Sequence, residues 1–180
     1  MPKYIAFLRA VNVGGRVVKM ETLRERLAAA GFTSVETFIA SGNVIFDAGV
    51  KTTQKLEKQI EALLRDWLGY EVETMIRTVP ELAAIAEYPA FSPEQMTEAL
   101  TLHVGFLSVT PPADAAEKLG ALCTQADDFH LHGRELYWLV RGKFTDSLVK
   151  PNAIDKALGK TPVTFRNLTT VRKLLAKYGG

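Results

Sequence analysis

Three short polar stretches carry the residue types that could do chemistry. The first is Leu8-Arg9-Ala10-Val11-Asn12-Val13-Gly14-Gly15. Glycines let successive backbone N–H groups converge on an anion, and a guanidinium such as Arg9 adds a bidentate contact to carboxylate or phosphate. The glycine spacing fits neither a Walker loop nor a dinucleotide fingerprint. The same residues also suit a tight connection in which Gly14 and Gly15 supply positive φ, Asn12 caps the turn and Arg9 pairs with a surface acid. The second stretch is Ser41, Gly42 and Asn43. A hydroxyl and an amide at a hairpin tip could hold polar groups of a ligand. A serine nucleophile would need a base, and no histidine is close in sequence. Ser-Gly-Asn is also ordinary turn chemistry. The third stretch is Arg166 and Asn167, ahead of Thr169 and Thr170. Asn167 is suited to cap a helix with Arg166 just outside it, an electropositive position where an anion could dock. The alternative there is a capped helix beside a solvated arginine.

Other groupings are thinner. His130 and His132 alternate on a strand with Asp128, but no third convergent ligand is in view, so no metal is expected. Asp127-Asp128 reads as loop, because adjacent carboxylates rarely face one another. Cys123 stands alone, which excludes an internal disulfide and a thiolate metal cluster, and packing is expected for it.

The elements that must position these residues follow from hydrophobic period. Residues 4–8 form an apolar run that reads as a central, buried strand, ending in the loop chemistry of Arg9 to Gly15. Met20, Leu23, Leu27 and Ala30 share a helical face closed by Gly31. Residues 34–40 and 44–46 read as a hairpin around Ser41-Gly42-Asn43. Leu56, Ile60, Leu63, Leu64 and Trp67 define a second helix ended by Gly69, and residues 71–77 another strand. Strand, helix, strand, strand, helix, strand is the order of the split βαβ, or ferredoxin-like, plait. Thr78-Val79-Pro80-Glu81 is a capping box opening a short helix. The prolines of residues 88–93 mark a boundary.

The second half repeats the order. Strands are expected at 100–109, 128–132 and 135–140, and a helix from Pro111 that carries Ala115, Leu119 and Leu122. A further helix capped by Asp146 or Ser147 follows, then a short extended piece at 161–165 and a closing helix with Leu168, Val171, Leu174, Leu175 and Tyr178. The expected fold is therefore α+β, two ferredoxin-like (βαββαβ) plaits in tandem with a C-terminal helix, divided as 1–90 and 91–180.

Composition agrees with an ordered domain. The 180 residues are 47% hydrophobic and 23% charged, and the net charge of +2 neither demands nor excludes a nucleic-acid partner. No apolar run approaches the ~20 residues of a membrane helix, and no targeting segment is visible, so no membrane partner and a cytoplasmic location are expected.

Three segments together resemble the DUF1697 family. Residues 8–15 are similar to its opening LRGINVGG, residues 41–46 to its SGNVVF, and Phe165-Arg166-Asn167-Leu168-Thr169-Thr170-Val171-Arg172-Lys173-Leu174 to its closing TRNWNTVxKL. Ala10 stands where Gly is usual, Phe165 where Thr is common and Leu168 where Trp is usual, which removes an aromatic from the rim. The resemblance implies two ferredoxin-like α/β units and, since the family is one of unknown function, no activity.

The leading expectation is a protein that binds an anionic small molecule or a nucleic-acid phosphate at a polar rim built from Arg9, Asn12, Gly14, Gly15, Ser41, Gly42, Asn43, Arg166 and Asn167. No cofactor is expected. Two alternatives stand beside it. One is an enzyme on a phosphorylated or nucleotide substrate, oriented by Ser41 or Asn43. The other is an assembly module whose signature residues only hold the fold. Tyr4, Phe7, Phe38 and Phe46 lie on strands, where an RNA-binding plait would carry aromatics, but packed core is the expected use.

Overall fold

The computed structural model describes residues 1–39, 42–49 and 52–180. The chain is a mixed α+β protein with two four-stranded antiparallel sheets and, among the described residues, seven α-helices. It divides into two compact units, Met1–Ala83 with Lys177–Gly180, and Ala84–Ala176.

In the first unit the order is β1 (Lys3–Leu8), α1 (Met20–Ala29), β2 (Thr33–Thr37), β3 (Asn43–Asp47), α2 (Thr53–Leu68) and β4 (Thr74–Thr78). The sheet runs β2-β3-β1-β4, so the apolar first strand is central as its sequence requires. Tyr4, Ala6 and Leu8 of β1 share one face with Val44, Phe46 and Ile76, and Leu23, Leu27, Leu56, Ile60 and Leu64 of the two helices pack on it. Burying each leucine contributes about 1.5–3 kcal/mol. Tyr4 and Phe46 go into this core, where the Phe32 and Phe46 rings meet edge to face at 4.9 Å, while Phe38 lies beyond the end of β2. The other face of the sheet, with Ile5, Phe7, Ile45, Met75 and Arg77, is equally buried.

The hairpin differs from expectation. The strand read as residues 34–40 stops at Thr37, and Ile39 has a φ of 52° and is exposed. Asn43 belongs to β3 and pairs with Phe7, so it is strand rather than turn tip.

The chain crosses into the second unit within α3 (Val79–Glu87), which is opened by the capping box: Glu81 accepts from the Thr78 N–H at 2.8 Å while its own N–H donates to the Thr78 hydroxyl. Then come α4 (Pro93–Glu98), β5 (Thr101–Leu107), α5 (Ala115–Gly120), β6 (Asp127–His132), β7 (Glu135–Val140), α6 (Pro151–Ala157), β8 (Val163–Asn167) and α7 (Leu168–Tyr178). The second sheet runs β6-β7-β5-β8. Leu107, Leu136, Trp138, Val140 and Val163 form its helix-side core with Leu119, Ile154 and Leu158.

Residues 88–93 lead into α4, which starts from a Ser92–Gln95 capping box with Pro93 at N1. Three expectations are corrected. Asp127 is strand, not loop, and joins the strand expected from residue 128. The helix expected from Asp146 or Ser147 begins at Pro151, whose missing N–H suits a first turn, because Ser147 and Leu148 spend their donors on Asp127. Finally, the short extended piece runs on through Asn167, so Arg166 is a buried residue of β8 and not a solvated one, although it still directly precedes the cap of α7. No described helix is long and apolar enough to cross a membrane.

Candidate functional site

The glycine-rich stretch of the first unit is a folded connection. The N–H of Arg9 donates to the Glu73 carbonyl at 2.9 Å, and its guanidinium reaches the Glu73 carboxylate at 3.4 Å, with both side chains about a third exposed. Ala10, Asn12, Gly14 and Gly15 all have φ between 57° and 82°, the region where a side chain clashes with its own backbone. Asn12 tolerates it because its Oδ1 accepts from the Val18 N–H at 2.6 Å, closing the loop over residues 13–17. Val11 and Val18 are buried beneath this bond, while Val13, Gly14, Gly15, Arg16 and Val17 are exposed. The Arg16 guanidinium lies over the Tyr70 ring at 4.1 Å.

Gly42 and Asn43 are brought against the end of β1. The Gly42 carbonyl accepts from the Leu8 N–H at 2.8 Å. Gly42 has a φ of 82°, and a Cβ there would lie 2.5 Å from Val11 Cγ2, so both conformation and space require glycine. Asn43 is fully buried and donates its amide to the Phe38 carbonyl at 2.9 Å. Ser41 lies outside the described residues.

Arg166 and Asn167 belong to the second unit. Arg166 is only 7% exposed, and its Nη1 donates to the Thr164 hydroxyl at 2.8 Å and to the Phe165 carbonyl at 2.9 Å. Burial pushes its guanidinium down to about 10, which still leaves it charged at neutral pH. Asn167 does cap α7: its Oδ1 accepts from the Thr169 N–H at 2.9 Å.

Beside Asn167 is a cavity of about 180 Å³. Leu168, Thr169 and Arg172 of α7 line it together with Met96 of α4, Leu100 and residues of β5. Residues 168 and 172 are one turn apart, and 169 and 172 three residues apart, so one helix face supplies this wall. Arg172 is exposed and has no hydrogen bond or ion pair among the described residues. Sequence reasoning passed over it inside the closing helix. The signal was available: Leu168 and Leu175 point to the core side of the helical period, and Arg172 stands one turn beyond the cap.

His130 and His132 are otherwise engaged. His130 Nε2 and the Tyr88 hydroxyl lie 2.9 Å apart, and the His132 ring stacks on Tyr88 at 4.0 Å. Desolvation and the neighbouring His132 push the His130 imidazole down. Asp128 takes the Arg141 guanidinium and the Gln95 amide. No group of three or more His, Cys, Asp or Glu among the described residues could hold a metal ion. Cys123 is exposed rather than packed.

A family model described as a protein of unknown function, DUF1697, matches residues 1–137. The chain belongs to the DUF1697 family. The matched residues include the glycine-rich connection and the hairpin but not β8 and α7. This DUF1697 protein is similar across 100% of its length to a solved conserved bacterial protein from Streptococcus pneumoniae, 99% of which is covered, with a TM-score of 0.75 and 21% identity. That likeness is one of fold. No curated protein matches the sequence.

Proposed function

We propose that this DUF1697 protein binds a small anion in the cavity beside Asn167, with Arg172 as the group that recognises the charge. The observation that carries the reading is the exposed guanidinium of Arg172 in a cavity wall, without a partner among the described residues. Asn167 and Thr169 add polar groups to the same wall. Of the rim residues, the reading keeps Asn167. Each unit is read as a ferredoxin-like plait, supported by the parallel strand orders β2-β3-β1-β4 and β6-β7-β5-β8. A cytoplasmic location is supported by the single, unpaired cysteine.

A second reading is favoured by a different observation. Asn12, Gly42, Asn43 and Arg166 each make a hydrogen bond inside their own unit. On this reading the signature stretches fix the connections between strands and take no ligand. An enzyme oriented by Asn43 has less support, because its amide is donated to Phe38.

Thermal unfolding in the presence of phosphate, carboxylates, nucleotides and short RNA separates these. At a hundredfold excess over Kd a ligand adds about 2.7 kcal/mol to stability. Stabilisation lost in Arg172→Gln and kept in Arg9→Ala supports the cavity. Loss in Arg9→Ala alone moves the site to residues 9–19. No stabilisation by any compound leaves the structural reading.

A further inference from the structure

We infer that the ligand of this cavity is a small monocarboxylate carrying a short alkyl chain, an inference that rests on the anion-binding reading above and narrows it. Arg172 is the one ionisable residue in the lining. Among nearby acids, Glu98 of α4 is held by the Arg141 guanidinium at 2.8 Å. One guanidinium matches one carboxylate, which its planar fork binds through two parallel N–H bonds. A phosphate group, carrying a charge of about −1.5 to −2, would call for more positive charge than the lining holds.

Asn167, Thr169 and Thr101 make much of the remaining wall polar, and one part of it is apolar and unfinished. Met96 is 39% and Leu100 74% exposed, and both face the cavity together with Leu168. Their burial would be completed by a hydrocarbon chain extending from the carboxylate. The volume sets the limit on that chain. At about 180 Å³ the cavity is smaller than the ~300–1,000 Å³ of sites for drug-sized ligands. A nucleotide is therefore too large to be enclosed, whereas a few-carbon acid fits. The position of Met96 and Leu100 is itself secured: α4 is started by the Ser92–Gln95 box, and Gln95 also donates to Asp128 at 3.1 Å.

The test is a titration of the intact protein with acetate, propionate, butyrate, hexanoate and inorganic phosphate, followed by backbone amide NMR shifts of residues 96–102 and 167–172. Affinity is expected to rise about fourfold per methylene from acetate to butyrate, and to stop rising once the chain outgrows the cavity. Arg172→Gln is expected to weaken every acid by about tenfold or more. Leu100→Ser is expected to flatten the chain-length gradient while leaving acetate unchanged. Phosphate binding as tightly as butyrate, with loss in Arg172→Gln, would overturn the carboxylate inference and leave the anion site standing. Shifts at these residues from none of the probes would remove both.

Discussion

The two units set an arginine at the same place in the same strand order. Arg77 in β4 lies opposite Ile5 of the central strand, and Arg166 in β8 lies opposite Val104. In both, Nη1 donates at 2.9 Å to the carbonyl of the preceding residue, Ile76 or Phe165. Both strands then run directly into a helix whose first turn is capped by the next residue, Thr78 or Asn167. The first crossovers have nothing in common. Residues 9–19 use four left-handed residues, while residues 108–114 contain Pro111 and Pro112. The difference teaches which parts of the arrangement are constrained. Pairing geometry and strand-to-helix transitions admit few solutions, whereas a connection can be made by any chemistry that turns the chain.

The most direct way to break this parallel is to truncate the two arginines. Each fills a buried position and holds neighbouring carbonyls. Arg77→Ala and Arg166→Ala are each expected to cost about 3–5 kcal/mol in urea unfolding. A large loss for one and a negligible loss for the other would show that the shared register hides different roles.

One corner of each sheet sharpens the comparison further. The first unit ends β3 with Asp47, which is half-buried and pairs with Lys3 at 3.1 Å. The corresponding corner of the second unit is held by Asp127, fully buried, whose carboxylate accepts from Ser147, Thr124, Trp138 Nε1 and the Leu148 N–H at 2.6–3.0 Å. Desolvation pushes its carboxyl up, but these four donors outweigh it and hold the carboxyl below its ordinary range. A depressed folded value means the contribution is complete above the unfolded value of ~3.9 and is lost as pH falls below that. Asp127→Asn is expected to cost about 2–3 kcal/mol at neutral pH and to remove this acid-sensitive component. Asp47→Asn, at the half-buried corner, is expected to cost about 1 kcal/mol or less. Equal costs would mean that burial does not distinguish the corners.

The central strands differ by one methyl group with a consequence. Ala6 pairs with Ile76, and Gly105, at the equivalent place, with Phe165. A Cβ on Gly105 would lie 2.7 Å from the Phe165 ring and 2.8 Å from Val163. Gly105→Ala is expected to cost about 1–3 kcal/mol by overpacking. The double variant with Phe165→Leu is expected to recover part of it, and additive losses would show that the two residues do not compensate.

Much of this architecture was legible in the sequence because it rests on period. The apolar run of β1, the faces of α1 and α2, and the alternation of β7 each repeat over enough residues to mark an element. Glycine at the helix ends and the Thr78–Glu81 box were legible for local reasons. Short elements were not. The six residues of α4 have no apolar stripe, although Ser92, Pro93 and Gln95 carried its start signal. The reach of β8 through Arg166 was hidden because a cation mid-strand looks like loop, and only tertiary burial makes it strand. The candidate site was less legible still. Polar residues chosen for their types proved to be engaged in turns and strands, and Arg172 was masked by the helical pattern around it.

The smallest expected effect belongs to the arginine that sequence placed beside Arg166 in importance. Arg9 reaches Glu73 at 3.4 Å, and both side chains keep about a third of their exposure. Water screens such a pair, and ordering two long side chains costs entropy, so Arg9→Ala is expected to cost about 0–1 kcal/mol. Its backbone N–H, which bonds the Glu73 carbonyl, survives the substitution. The remaining coulombic part should fade as salt is raised, because the Debye length shrinks from about 10 Å at 0.1 M to about 3 Å at 1 M. Unfolding of wild type and Arg9→Ala at both salt concentrations tests this. A cost that is large and indifferent to salt would mean that the side chain holds the glycine-rich connection by packing, and that residues 9–19 are as constrained as the strands they join.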